Sequence, residues 1–213
     1  MKVGILGSGD VATTLGAGFI THGHDVMLGT RDISKLAGWA AKHPKGRVGS
    51  VADAAGFGEL LVLAVKGTAA ADALRAAGPA RIAGKVILDA TNPIAEKPPT
   101  HGVLHYFTTG EDSLMERLQR EFGDARFVKC FSCVGSARMV NPDFKQGRPA
   151  MFICGNDDTA KAAARGVLDQ FGWETVDMGR AEAARAIEPL AILWCIPGFL
   201  RNEWTHAFAL LKS

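Results

Sequence analysis

One tyrosine, four cysteines and almost no net charge set the first limits on this chain. Lysine plus arginine (24) nearly balance aspartate plus glutamate (22), leaving +2. That balance removes the electrostatic footprint a nucleic-acid or anionic-membrane binder needs. Aromatic residues make up 8% of the chain, and no basic stretch interleaves them as single-strand binding requires. Long apolar runs are also missing. Val3 to Leu6 reaches Gly7 before it can form a secretory signal core. Leu190 to Leu200 is short and interrupted by Pro197, so no membrane-spanning helix is expected. These absences point to the cytoplasm, where Cys130, Cys133, Cys154 and Cys195 stay reduced.

Cys130 and Cys133 form a C-x-x-C. Arg126 to Phe131 reads as a strand, on which residues three apart face opposite sides. No second pair completes a zinc ligand set. No metal site or redox dithiol is therefore expected, only two small residues around a strand end.

The 213 residues are 47% apolar, enough for one cored domain or a domain with a small appendage. Short apolar runs alternate with helical patterns. Strands are predicted at Lys2 to Leu6, Asp25 to Gly29, Arg47 to Val51, Glu59 to Val65, Lys85 to Asp89 and Arg126 to Phe131. Helices are predicted at Val11 to His22 and Ile33 to His43. Such alternation implies a parallel sheet covered by helices. Beyond Phe131, Ala150 to Cys154 and Trp173 to Met178 read as strands. A helix capped by Asn156 or Asp157 runs between them to about Gln170, with Gly172 as its stop. From Glu182 onward the chain reads mostly as helix, bent near Pro197.

Gly7-Ser8-Gly9-Asp10-Val11-Ala12 is G-x-G-x-x-A, set between the first strand and the first helix. Gly7 permits the tight turn, Gly9 lets backbone approach a pyrophosphate, and Ala12 allows close helix–strand packing. Free N–H groups at the helix start attract phosphate. Asp10 faces solvent, a water or the nicotinamide ribose. The fold class is thus α/β: a Rossmann-type, mostly parallel sheet with helices on both faces and a small C-terminal α/β extension. Residues 1–131 form the dinucleotide-binding domain, and 132–213 the extension that forms the acceptor pocket and a dimer helix.

An NAD site usually ends the second strand with an acid. Here Thr30 and Arg31 follow that strand, and both suit the 2′-phosphate of NADP. Lys35 adds a charge one helical turn on, while Asp32 is the N-cap of the following helix. Lys66, after the fourth strand, meets an anionic acceptor or phosphate, or simply starts a solvent-facing helix. His101, His105 and Tyr106 lie in a loop bounded by Pro98-Pro99, of the kind that often covers a site. Asp157 with Lys161, and Glu188 with Arg138, are plausible ion pairs. Trp194, Phe199, Trp204 and Phe208 suit core or dimer packing.

Several landmarks occur in a specific order: Gly7-Ser8-Gly9, Gly29-Thr30-Arg31-Asp32, Asp89-Ala90-Thr91-Asn92-Pro93, Val128-Lys129-Cys130-Phe131, Asn141-Pro142 and Gly155-Asn156-Asp157-Asp158. Gly179 and Ile187-Glu188 close the series. On these the chain resembles the NADP-dependent reductases of the deazaflavin coenzyme F420, which are related to the reductase domain of the six-transmembrane metalloreductases. The resemblance implies direct hydride transfer between NADP(H) and a small-molecule acceptor (a deazaflavin, a flavin or another small organic molecule) with no catalytic side chain. It places Gly7, Ser8, Gly9, Asp10 and Val11 at the pyrophosphate. Thr30, Arg31 and Lys35 fall at the 2′-phosphate, and Ala64, Val65 and Asn92 beside the ribose and nicotinamide, with Lys66 a further cofactor-binding candidate. Lys66-Gly67 replaces a proline and an aromatic residue, and Ser132-Cys133 departs from the usual Asn-Thr. The alternatives are a non-catalytic NADP(H) sensor, and an imine or 3-hydroxyacid reductase. The second usually needs a long all-helical second domain. No nucleic-acid or membrane partner is expected, and a homodimer is.

Overall fold

The computed structural model describes residues 1–211. The first part of the chain runs β1 (Lys2–Leu6), α1 (Asp10–Thr21), β2 (Asp25–Gly29), α2 (Ala37–Lys42), β3 (Arg47–Gly49), α3 (Val51–Phe57) and β4 (Leu60–Leu63). It continues through α4 (Ala70–Ala77), α5 (Pro79–Ile82), β5 (Val86–Asp89), α6 (Leu114–Glu121) and β6 (Arg126–Lys129). Then follow β7 (Ala150–Ile153), α7 (Asp158–Gln170), β8 (Glu174–Asp177), α8 (Ala184–Ile187) and α9 (Leu190–Arg201).

β1 to β6 make one parallel sheet in the order β3-β2-β1-β4-β5-β6. The order reverses between β1 and β4, and that point opens the crevice where doubly wound sheets take their ligands. Alternate strand residues feed two cores. Ile5 and Val62 join Leu15, Phe19, Leu28 and Phe171 on one face. Leu6, Leu61 and Leu63 join Ala54, Leu74, Ile87 and Met115 on the other. Burial on both faces explains why β4 is an unbroken Leu-Leu-Val-Leu run rather than an alternating one.

The predicted strands hold their places, β1 and β2 with the predicted ends and β3 to β8 with shorter ones. The third stops at Gly49 because Ser50 caps α3 in a reciprocal capping box with Asp53. α3, α5 and α6 carry no prediction from the sequence, while the helix start read as one alternative at Lys66 leads through a 3-10 turn into α4. The stretch Ile33 to His43 splits into one 3-10 turn and α2, with Asp32 capping the turn through Ser34. α7 is capped by Asp157 as expected.

β7 and β8 form a small parallel sheet. A bridge between Lys129 and Cys154 fastens it to β6. Helical turns run without a long break from Ala181 to Arg201, 21 residues within which an 18-residue window reaches a mean hydropathy of 1.4. By length and composition this run could cross a membrane, contrary to the shorter segment expected; a third of that window is buried. Helix ends at Arg201, where Asn202 turns left-handed (φ 57°), so the expected helix to the C-terminus is corrected. The tail folds back: Trp194 Nε1 donates to His206 O (2.8 Å), and Phe208 O accepts from Ala150 N (2.9 Å).

Two expected ion pairs have other partners. Lys161 pairs with Asp158 and Asp177, while Asp157 faces Arg126. Glu188 pairs with Lys129, and Arg138 lies over the Phe144 ring at 5.7 Å.

Candidate functional site

A cleft of about 520 Å3 opens at the carboxyl ends of β1, β2 and β4. Its floor is the turn from Gly7 to Val11. Gly7 has φ 147°, and a Cβ there would stand 2.1 Å from Ala64 O. The close approach of β1 and β4 therefore demands glycine. Gly9 differs: a Cβ on it would meet nothing within 4 Å. No protein neighbour requires a glycine there, so its bareness leaves the loop backbone open to a ligand. α1 begins at once, with no side chain capping its N-terminus. By contrast α3, α6 and α7 are capped by Ser50, Ser113 and Asp157. The first N–H groups of α1 are left for an anion. Asp10 is exposed in that first turn.

Gly29, Thr30 and Arg31 line one end of the cleft. Thr30 is buried and its Oγ1 receives Asp32 N at 3.2 Å, which fixes the turn. Arg31 is exposed and makes no ion pair among the described residues, so its guanidinium is free for a phosphate. Asp32 is kept from that role: its carboxyl accepts from Ser34, which holds it below the ordinary carboxylate range. Lys35 does not line this cleft; it lines a shallower groove across α1 with Thr13, Trp39 and Lys42. Ser8 and Asp10 border both.

Ala64, Val65, Lys66 and Ala90 form the other end. The wall between is α4 and the turn that leads into it, where Ala69, Ala73 and Ala76 present methyl groups. The sequence reading missed this wall, although the small residues recur at helical spacing. The ionisable residues of the lining are Asp10, Arg31, Lys66 and Asp72. Asp72 is tied to Arg75 at 2.6 Å.

Asn92 lies one loop beyond the cleft lining. A Cβ on Gly67 would meet Asn92 O at 2.0 Å, so Gly67, noted in the sequence only as a departure from the family, lets the loops after β4 and β5 touch. Asn92 Nδ2 donates to Ser132 O at 2.7 Å, which ties on the loop after β6. Beneath these loops Lys129 is wholly buried between Asp89 (2.7 Å) and Glu188 (2.9 Å) and also donates to Thr91 O. Burial alone would depress its ammonium pKa, but the two carboxylates hold it above the ordinary value. Tyr106 is drawn into the packing, its hydroxyl donating to Glu188 O at 2.8 Å, and burial raises its pKa. His105 meets Thr100, and His101 is exposed. Cys130, Cys133 and Cys154 are buried thiols, with burial pushing Cys133 and Cys154 up to about 12. Among the described residues no group of His, Cys, Asp and Glu could hold a metal ion.

Residues 2–93 match the family described as NADP oxidoreductase, coenzyme F420-dependent. A crystal structure from Arthrobacter sp. FB24, described as a candidate F420-dependent NADP reductase, is 31% identical with a TM-score of 0.93, each chain covered in full. Metalloreductase STEAP3 of Rattus norvegicus is 29% identical over 203 residues, which are 93% of this chain but 39% of the rat protein. An imine reductase of Streptomyces aurantiacus shares the fold at 16% identity and a TM-score of 0.71, over 94% of this chain and 63% of that one. The uncapped phosphate loop, the free Arg31 and full-length similarity to the Arthrobacter protein converge: this chain belongs to the coenzyme F420-dependent NADP oxidoreductase family and is an NADP-dependent oxidoreductase.

Proposed function

We propose that the enzyme passes hydride between NADP(H) and a planar deazaflavin or flavin acceptor. Gly7 to Val11 hold the pyrophosphate, and Thr30 and Arg31 hold the 2′-phosphate, with Lys35 reaching in from the neighbouring groove. Ala64, Val65, Lys66 and Asn92 border the ribose and nicotinamide. The observation that carries this reading is the contrast between Gly7 and Gly9, one bare for the fold and the other bare with no protein neighbour. NADP supplies the hydride chemistry when bound; the chain's own residues bind, orient and exclude water. No His, Tyr or Cys stands in the lining, which suits a transfer that needs no side-chain acid or base.

Lys66 is the one cation at the nicotinamide end of the lining, which favours an acceptor bearing phosphate or carboxylate. The segment from residue 132 onward supplies the far side of the acceptor site. Leu193, Phe199, Leu200 and Trp204 are exposed apolar side chains, which supports a homodimer contact. Buried free thiols suit a reducing cytoplasm. The test is NADPH oxidation assayed against a deazaflavin, flavin mononucleotide and ferric chelates. Turnover on the deazaflavin is expected, and Lys66→Ala raises KM for it. Tight NADPH binding with no turnover on any acceptor would favour a sensor instead.

A further inference from the structure

Two polar atoms beside the cleft lack partners among the described residues. Ser132 is 4% exposed, and its Oγ makes no hydrogen bond. Asn92 Oδ1 is likewise buried and unpaired, although Nδ2 of the same side chain donates to Ser132 O. The amide orientation follows from that bond, because a carbonyl oxygen can only face the NH2 end. Each such unpaired atom costs about 1–3 kcal/mol in a folded protein and calls for a reason.

A third observation is independent of these. Phe131, fully buried, sits at φ +59°, immediately before Ser132. The left-handed region is unfavourable for a bulky side chain, and such residues gather where backbone must be aimed for function. Here the turn breaks β6 and carries Ser132 across to Asn92. Both residues stand past the carboxyl ends of β5 and β6. Gly67 presses against Asn92, and Ala90 of the cleft lining lies two residues before it.

The pair therefore offers one acceptor, Asn92 Oδ1, beside one hydroxyl donor, Ser132 Oγ. That is the complement of an amide edge, an N–H next to a C=O. We propose that Asn92 and Ser132 seat the carboxamide of the nicotinamide ring, its N–H donating to Asn92 Oδ1 and its carbonyl accepting from Ser132. The seat fixes the rotation of the ring and hence which face of it meets the acceptor. The pyrimidine edge of a deazaflavin or flavin carries the same donor–acceptor pair, so the experiment separates cofactor from acceptor.

Ser132→Ala is titrated with NADP+, with 2′-phosphoadenosine 5′-diphosphate, which stops short of the nicotinamide, and with the 3-acetylpyridine analogue of NADP+, which keeps the carbonyl and replaces the NH2 by methyl. Thermal unfolding of the ligand-free protein is measured alongside. The expected result is NADP+ binding weakened about tenfold, the adenosine fragment unchanged, and the ligand-free melting temperature no lower than that of the parent. A hydroxyl with no partner has no native bond to lose. The parent protein also binds the acetylpyridine analogue about tenfold more weakly than NADP+. Unchanged NADP+ affinity with a raised KM for the deazaflavin would give the seat to the acceptor and overturn the proposal. Equal loss for every ligand with a lowered melting temperature would make Ser132 structural and overturn it too. The adenosine fragment binds unchanged both when the seat holds the nicotinamide and when it holds the acceptor, so between those two outcomes the 2′-phosphate assignment stands apart from this test.

Discussion

Glu188 Oε1 lies 2.9 Å from Lys129 Nζ, and neither side chain is more than 1% exposed. The contact pins the C-terminal helices to the end of β6. The other demands of the carboxylate are met by Leu114 N and Met115 N at the start of α6, both at 3.0 Å. Asp89 takes Thr91 N and Thr91 Oγ1. Every member of this buried group is thus held by hydrogen bonds as well as charge, the condition under which buried ions are tolerated.

Lys129→Met leaves two carboxylates facing each other in a dry site. The expected loss is about 3–5 kcal/mol of folding stability, read as a lowered urea midpoint. A midpoint unchanged from the parent would show that water or a rearranged side chain replaces the ammonium.

The two loop glycines separate fold from ligand. Gly7→Ala forces β1 and β4 apart and lowers the melting temperature. Gly9→Ala leaves it within a few degrees but weakens NADPH binding at least tenfold, since the new methyl stands where the pyrophosphate approaches the backbone. Calorimetric titration and thermal unfolding of both variants check the contrast. A Gly9→Ala protein that binds NADPH normally would remove the phosphate loop from the site.

On the proposed 2′-phosphate assignment, Arg31 carries cofactor choice. NADPH binds at least about tenfold tighter than NADH, and Arg31→Ala removes most of that difference while sparing NADH. Equal affinities in the parent protein would refute the 2′-phosphate assignment.

The buried thiols set an alkaline limit. Cys133 and Cys154 are raised from near 9 to about 12 by burial. Their folded pKa lies above the unfolded one, so their contribution is full below pH 9 and is lost as pH climbs toward 12. The urea midpoint therefore falls across that window, and Cys154→Ala makes the fall shallower. Thiol reagents at neutral pH leave Cys130, Cys133 and Cys154 unmodified until the protein unfolds, as the C-x-x-C reading without redox chemistry requires.

What the sequence made legible follows its local signals. β1 and β2 have the predicted ends because apolar runs stop at Gly7 and Gly29-Thr30, and the glycine turn between β1 and α1 was readable from the G-x-G-x-x-A spacing together with the strand before it and the helix after it. The extent of α4 and its place in the cleft wall were not read, because Ala70 to Ala77 carries small residues in place of the large apolar ones that mark a core-facing helix. α6 did carry a signal, Ser113 three residues before Glu116, which the structure shows bonded in both directions. The partners of Glu188 lay beyond local reading: they depend on how α6, β6 and the C-terminal helices meet in space. The same holds for Ser132, whose setting rests on the backbone turn at Phe131 and on a contact forty residues back along the chain.

The tail returns to the start of β7 and covers part of its edge. A two-stranded sheet has open edges, and an open edge is a template for pairing with another molecule. Phe208 O occupies Ala150 N, and the Lys129–Cys154 bridge guards the other end of the same strand. Loss of residues 202–211 would bare this edge and the Trp194 ring together, turning a folded enzyme into a nucleus for self-association.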